Sequence, residues 1–275
     1  MFFGGLLKQI RIERNIKQKE LSDGIVSRST ISKIENGTHE PSFETAMKLI
    51  NRLGISLSDF ERRYMGEKSN SALEAYFKNI DTQAPHSFHL RKIENVQATR
   101  NFEENTMTEN IYMLSDALWR RTTTDRHQLR ETIQVVWNKF QLVENWNRTD
   151  LYVLNDLIAF LPVKVAKNVA KLGIDKISHE YPELIALKAS FLNNLGLLLL
   201  LDDAASESEQ VFDESIRYAK LVHRYDIALT AHVRKALARK NDQEVNKYVQ
   251  IIATLEDIEL LDSINHEITE IKNTI

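Results

Sequence analysis

Apolar residues recur along this chain at spacings of three and four, and strict alternation with polar residues is absent, so the pattern predicts helices and no strands. Up to residue 66 the periodic segments are short, and six of the eight glycines (4, 5, 24, 37, 54 and 66) lie between or within them. Five helices are predicted there, over 6–14, 17–23, 28–36, 43–53 and from Ser56 or Ser58 onward. Ser42 is placed to cap the fourth, and Ser58 with Glu61 three residues on offers a capping box for the fifth. Gly37 follows the third helix where a left-handed cap favours glycine.

Beyond Gly66 only Gly173, Gly196, Pro85, Pro162 and Pro182 interrupt the pattern. In "ETIQVVWNKFQLVENW" the apolar positions 133, 136, 137, 140 and 143 keep helical spacing, and "DLYVLNDLIAFLP", "EQVFDESIRYAKLV" and "NKYVQIIATLEDIELL" do likewise. Helices of this length with short connections cannot all share one bundle core. They are expected to stack as hairpins in a superhelical array, with a large irregular bundle as the competing architecture, since no exact repeat is visible. The most apolar stretch, "ASFLNNLGLLLLL", contains two asparagines and falls short of the roughly 20 residues a membrane span needs, so it reads as a buried helix. Near the C-terminus, apolar residues at 251, 255, 258, 261, 264, 268 and 271 form a stripe that suits either a capping helix or a dimer contact.

Composition narrows the class. With 275 residues, 43% apolar and 27% charged, the chain is expected to be an all-α globular protein, divided here into 1–66 and 67–275. Cysteine is missing, which excludes disulfides and thiolate metal sites and suits a reducing cytoplasm. The start, "MFFGGLLKQIRIER", lacks the basic opening and cleavage site of a signal peptide, so a cytoplasmic location is expected. His86 and His89 have no assignable third ligand, and there is no HExxH, Gly-rich phosphate loop or GxSxG. Neither a metal, a cofactor nor enzyme chemistry is expected. Charge is uneven: through Met65 eleven Lys and Arg face eight Asp and Glu, and because the whole chain carries −3, the remainder carries −6.

The run "SRSTISKIENG" shows where those charges matter. As a helix it places Ile31, Ile34 and Glu35 on one side and Ser29, Ser32, Lys33 and Asn36 on the other, a face of short hydrogen-bonding side chains and one cation. Within "LLKQIRIERNIKQKELSDGIVSRSTISKIENGTHEPSFETAMKLINRLGISL" the positions of Arg11, Gln18, Leu21, the "SRSTIS" run, Glu35, Gly37 and Pro41 resemble the phage-repressor type of helix-turn-helix, the XRE-like group. The resemblance implies that the third helix enters the major groove of double-stranded DNA while the second crosses the backbone. It implies Arg28, Ser29 and Lys33, with Ser32 and Asn36, at or near base edges, and Lys17, Gln18 and Lys19 on phosphates; Arg28 and Lys33 serve equally as phosphate contacts. Lys17 departs from the Ser or Thr that usually caps the second helix, a loss of about 1 kcal/mol. Arg11 and Glu35 are expected to form a structural ion pair. A homodimer is expected, because one such domain reads too few base pairs and two half-sites one turn apart solve that problem.

In the remainder, "VWNKFQLVENWNRTDLYVLNDLIAFLP", "FLNNLGLLLLLDD" and "YAKLVHRYDIALTAHVRKALARKND" resemble the helical domain of the Rgg regulators, also called the MutR or GadR type, with Thr149 and Asp150 standing where that family has an aromatic and an acidic residue. This resemblance implies a tetratricopeptide-like body, a homodimer, and control of transcription by a short, often hydrophobic signalling peptide. Holding an extended peptide calls for carboxamides, which satisfy both N–H and C=O of a backbone, and for arginine against a carboxylate. Asn155, Asn193 and Asn194 lie in otherwise apolar helices and must each bond something, either a ligand or a neighbouring loop. Arg148, Tyr152 and Arg91 are further candidates, while Trp119, Trp137, Trp146 and Phe160 are expected in the core. Two alternatives stand beside the peptide reading: a ligand-independent repressor whose body is a dimerisation scaffold, and a DNA-anchored module that docks another protein.

Overall fold

The computed structural model describes residues 2–65 and 126–274, and the chain divides into two compact units, Met1–Ser71 and Ala72–Ile275. Arg91, Trp119, His86 and His89 lie outside the described residues. Every regular element among the described residues is helical.

The first unit contains α1 (Phe3–Glu13), α2 (Gln18–Ser22), α3 (Arg28–Glu35), α4 (Phe43–Arg52) and α5 (Leu57–Met65). Leu6, Leu7 and Ile10 of α1 meet Leu21, Ile31, Ile34, Leu49 and Phe60 in one core. Gly4 explains how closely α1 lies on α3: a Cβ there would stand 1.7 Å from the Ile34 carbonyl oxygen, so no other residue fits. Caps set the helix starts. Ser27 Oγ accepts the Thr30 N–H at 3.1 Å, and Ser42 Oγ accepts the Thr45 N–H at 3.2 Å. For α5 the expected Ser58 and Glu61 box is replaced by Ser56, which accepts the Asp59 N–H at 3.0 Å and donates to its carboxylate at 2.8 Å, because the helix begins at Leu57. The α2 start keeps half a box: the Glu20 carboxylate accepts the Lys17 N–H at 2.9 Å, while the Lys17 ammonium has no lone pair to cap with.

The second unit runs α6 (Arg126–Phe140), α7 (Arg148–Leu157), a short 3-10 turn (Ile158–Phe160), α8 (Val163–Glu180), α9 (Ile185–Leu201), α10 (Ala205–Leu221), α11 (Tyr225–Ala238), α12 (Asp242–Thr254) and α13 (Ile258–Thr274). Each helix packs on the next, and α7 with α9, α9 with α11 and α11 with α13 touch as well. The odd-numbered helices therefore form one continuous layer, with α8, α10 and α12 laid against it, which is the stacked-hairpin array and not an irregular bundle. Glycine permits two of the close crossings: a Cβ at Gly173 would lie 2.7 Å from the Phe191 ring, and one at Gly196 would lie 2.5 Å from the Phe212 ring. Trp137, Trp146 and Phe160 pack against the main core. No helix among the described residues is long and apolar enough to cross a membrane.

The C-terminal stripe is not one surface. Glu256 adopts a left-handed conformation (φ 57°) and separates α12 from α13. Ile264 and Ile271 are buried in the local core, whereas Ile251, Leu255 and Ile258 remain exposed around the turn. Among the described residues no group of three or more His, Cys, Asp or Glu is arranged to hold a metal ion.

Candidate functional site

The first candidate surface is the α2–α3 pair. On α3, Ile31, Ile34 and Glu35 are buried, Ser32 and Thr30 are half-buried, and Arg28, Ser29, Lys33 and Asn36 are exposed. Pairing sorts the cations of this unit. Arg11, Lys48, Arg62 and Arg63 meet Glu35, Glu44, Asp59 and Glu13 respectively. Among the described residues Lys17 before α2 and Lys19 on it, Arg28 and Lys33 on α3, Lys8 on α1 and Arg14 just after it form no salt bridge. An exposed helix pair with four unneutralised cations and hydroxyls between them suits a polyanion with base edges to read. Ser29 Oγ lies 2.7 Å from Ser27 Oγ, so this hydroxyl is held at the helix start and not free to rotate.

Beneath that face lies a buried carboxylate. Arg11 Nε donates to Glu35 Oε1 at 2.5 Å and Arg11 Nη2 to Oε2 at 2.9 Å, a two-point fork, while Nη1 donates to the Ile16 carbonyl at 2.9 Å. The hydrogen bond to Glu35 raises the Arg11 guanidinium further above its usual value, so it is charged at any working pH. Gln18 Nε2 donates to Glu35 Oε2 at 2.8 Å. The carboxamide assigned by the sequence to a phosphate thus engages one of its two N–H donors inside the protein, and the second N–H stays available as a donor.

The second candidate surface is the seam between odd-numbered helices of the body. Asn155 of α7 donates from Nδ2 to Ser190 Oγ of α9 at 3.1 Å, and Asn194 of α9 donates back to Asn155 Oδ1 at 3.2 Å. Both asparagines are half-buried, and Asn194 Nδ2 also reaches the Asn155 main-chain carbonyl at 3.4 Å. Asn193 points the other way. It is 1% exposed, its Nδ2 reaches the Ile227 carbonyl of α11 only at 3.5 Å, and its Oδ1 is buried without a partner among the described residues. Tyr152 is a core residue of the body, and Arg148, exposed at the first position of α7, precedes Asn155 by two turns on the same helix. The structure thus brings together Asn155 and Asn194 and turns Asn193 inward, while Tyr152 and Arg148 lie three and seven residues before Asn155 on the same helix. Asp150 caps α7 by accepting the Asn147 N–H at 2.8 Å, and burial raises its pKa.

Sequence reasoning missed Arg234 and Glu267. Arg234 of α11 is 1% exposed and donates to Glu267 of α13 from Nε at 2.5 Å and from Nη2 at 2.9 Å, and from Nη1 to the Asn193 carbonyl at 3.2 Å. A signal was present: Asn155 and Asn194 stand 39 residues apart, and Arg234 follows Asn194 by 40, so polar residues recur at one register in three successive odd helices.

Comparison with known proteins separates head from whole. Residues 7–60 match the helix-turn-helix family model. Over 58 residues the chain is 33% identical to the cryptic phage CTXphi transcriptional repressor RstR of Vibrio cholerae, a match that spans 21% of this chain and 52% of that repressor's length. The whole chain is similar in structure to PlcR of Bacillus thuringiensis, solved in complex with the peptide PapR7 and DNA, with a TM-score of 0.69, 16% identity, and coverage of 97% of this chain and 98% of that one. It is likewise similar to the SHP pheromone receptor Rgg2 of Streptococcus dysgalactiae, with a TM-score of 0.66, 15% identity, and coverage of 98% and 99%. At these identities the likeness is one of fold.

Proposed function

We infer that the chain is a DNA-binding transcriptional regulator of the Rgg and PlcR kind, a homodimer whose hold on DNA answers to a short hydrophobic peptide carried by the helical body. One observation carries this reading: head and body together match, nearly end to end, a structure that contains both a peptide and DNA. The local chemistry supports it. The α3 face offers Arg28, Ser29, Lys33 and Asn36 to base edges, and α2 offers Lys17 and Lys19 to phosphates. In the body, Asn155 and Asn194 present half-buried carboxamides of the kind that pair with a peptide backbone.

The test is selection of duplexes from a random pool by the full-length chain. Two half-sites with centres about 10 base pairs apart, or a multiple of that, are expected. On the selected duplex Lys33→Ala should weaken binding by roughly 1–3 kcal/mol and relax one position per half-site, if Lys33 reads a base, whereas Lys19→Ala should weaken all sequences alike and lower the salt slope by about 1. A chain that enriches no sequence contradicts the reading.

A further inference from the structure

The half-buried pair Asn155 and Asn194 does not stand alone: it is the end of a hydrogen-bonded chain that crosses the whole layer of odd-numbered helices. From α13, Glu267 grips Arg234 of α11 through two parallel bonds of 2.5 and 2.9 Å. Arg234 then reaches the main-chain carbonyl of Asn193 in α9 at 3.2 Å. That carbonyl and the N–H of Asn194 belong to one planar peptide group. The next bond outward is from the Asn194 carboxamide to Asn155 on α7, at 3.2 Å.

We propose that Arg234, aligned by Glu267, is a positioning residue of the peptide site: it holds the peptide group from which Asn194 springs, and so sets the direction of the Asn194 carboxamide towards α7. The inference rests on the functional reading above. Three features support it. Arg234 is 1% exposed, so it cannot touch a ligand and can act only through what it holds. Its planar guanidinium presents a rigid fork of donors, so fixing two of them on Glu267 fixes the direction of the third. The side chain of Asn193, by contrast, supplies little orientation, since its one bond is 3.5 Å long and its Oδ1 has no partner among the described residues. The anchor of α9 at this point is therefore the arginine on its backbone and not the asparagine beside it.

The experiment is a double-mutant cycle in the full-length chain. The probe is the fluorescein-labelled heptapeptide best enriched from a random library by the wild-type protein, and the readout is its dissociation constant at a temperature where every variant is folded. Asn194→Ala and Glu267→Gln should each weaken the probe about tenfold, and the double variant should be no weaker than Asn194→Ala alone, because Glu267 acts through Asn194. Glu267→Asp, which keeps the charge but withdraws it by one methylene, serves as a second route to the same cycle if Glu267→Gln does not fold. Losses that multiply in the double variant, or a Glu267 variant that binds the probe like wild type, overturn the proposal while leaving the functional reading intact. A wild-type chain that enriches no peptide overturns both.

Discussion

Glu35 is the residue on which the reading head depends. Its side chain is 1% exposed and receives two bonds from Arg11 and one from Gln18. Removing it leaves a guanidinium with little water and no counter-charge, so Glu35→Ala should destabilise the head by about 3–5 kcal/mol. Calorimetry of the full-length chain should show the transition of the first unit shifted down, and a transition at the wild-type temperature would mean that the pair has no structural weight. The role of Glu35 was legible because helical spacing placed it beside Ile31 and Ile34. Its bond to Gln18 was not, since spacing along a chain cannot tell which of two neighbours a carboxamide faces. His232 makes a second prediction. It stacks on Tyr248 with ring centroids 4.3 Å apart, and burial, aided by the charges of Lys220 and Lys235 against an opposing Asp213, lowers its pKa to about 4. The unfolded chain therefore takes up this proton near the ordinary value of about 6.5, while the folded chain resists it until about pH 4. Stability from this site is full above pH 6.5 and falls as pH drops through that window. His232→Phe should flatten the decline in urea midpoint between pH 7 and pH 5, and an unchanged slope would remove His232 from the account.

At the scale of elements, the two units end their helices by different chemistry, and this decided what the sequence could reveal. In the head, Gly24, Gly37 and Gly54, with φ between 67° and 74°, and Asn15, with φ 55° after α1, take the left-handed positions, and the spacing of the glycines marked the short helices. In the body, Asp203, His223, Lys240 and Glu256 do so after α9, α10, α11 and α12, with φ between 52° and 61°. Asp203 is a common turn former, but Lys240 and Glu256 are not, which is why the break at Glu256 was invisible and residues 251 to 271 read as one stripe. The same holds for Gly4, which looks like an ordinary N-terminal residue until the Ile34 carbonyl is placed against it. A side chain in the left-handed region costs about 1–2 kcal/mol that glycine avoids, offset in part by the greater freedom of glycine in the unfolded chain. Lys240→Gly should accordingly stabilise the body by about 1 kcal/mol, seen as a higher urea midpoint with an unchanged slope. A lower midpoint would show that the lysine makes a contact worth more than the strain it imposes.

For the whole molecule, what matters is whether its two units share one equilibrium. A peptide can alter the grip on DNA only through a difference in its own affinity for the competing arrangements, and that coupling is reciprocal. The helical class was legible from apolar spacings of three and four without strand-like alternation. The layer of odd-numbered helices was not, because it rests on contacts between residues 33 to 41 positions apart with no repeated sequence to announce them. The measurement that bears most directly on the central claim is the affinity of the full-length chain for its selected duplex at one fixed salt concentration, with and without saturating heptapeptide. The affinity should change by about 5-fold to 150-fold, and the duplex should change the affinity for the peptide by the same factor. A peptide that saturates the body yet leaves the affinity for the duplex unchanged would contradict the account.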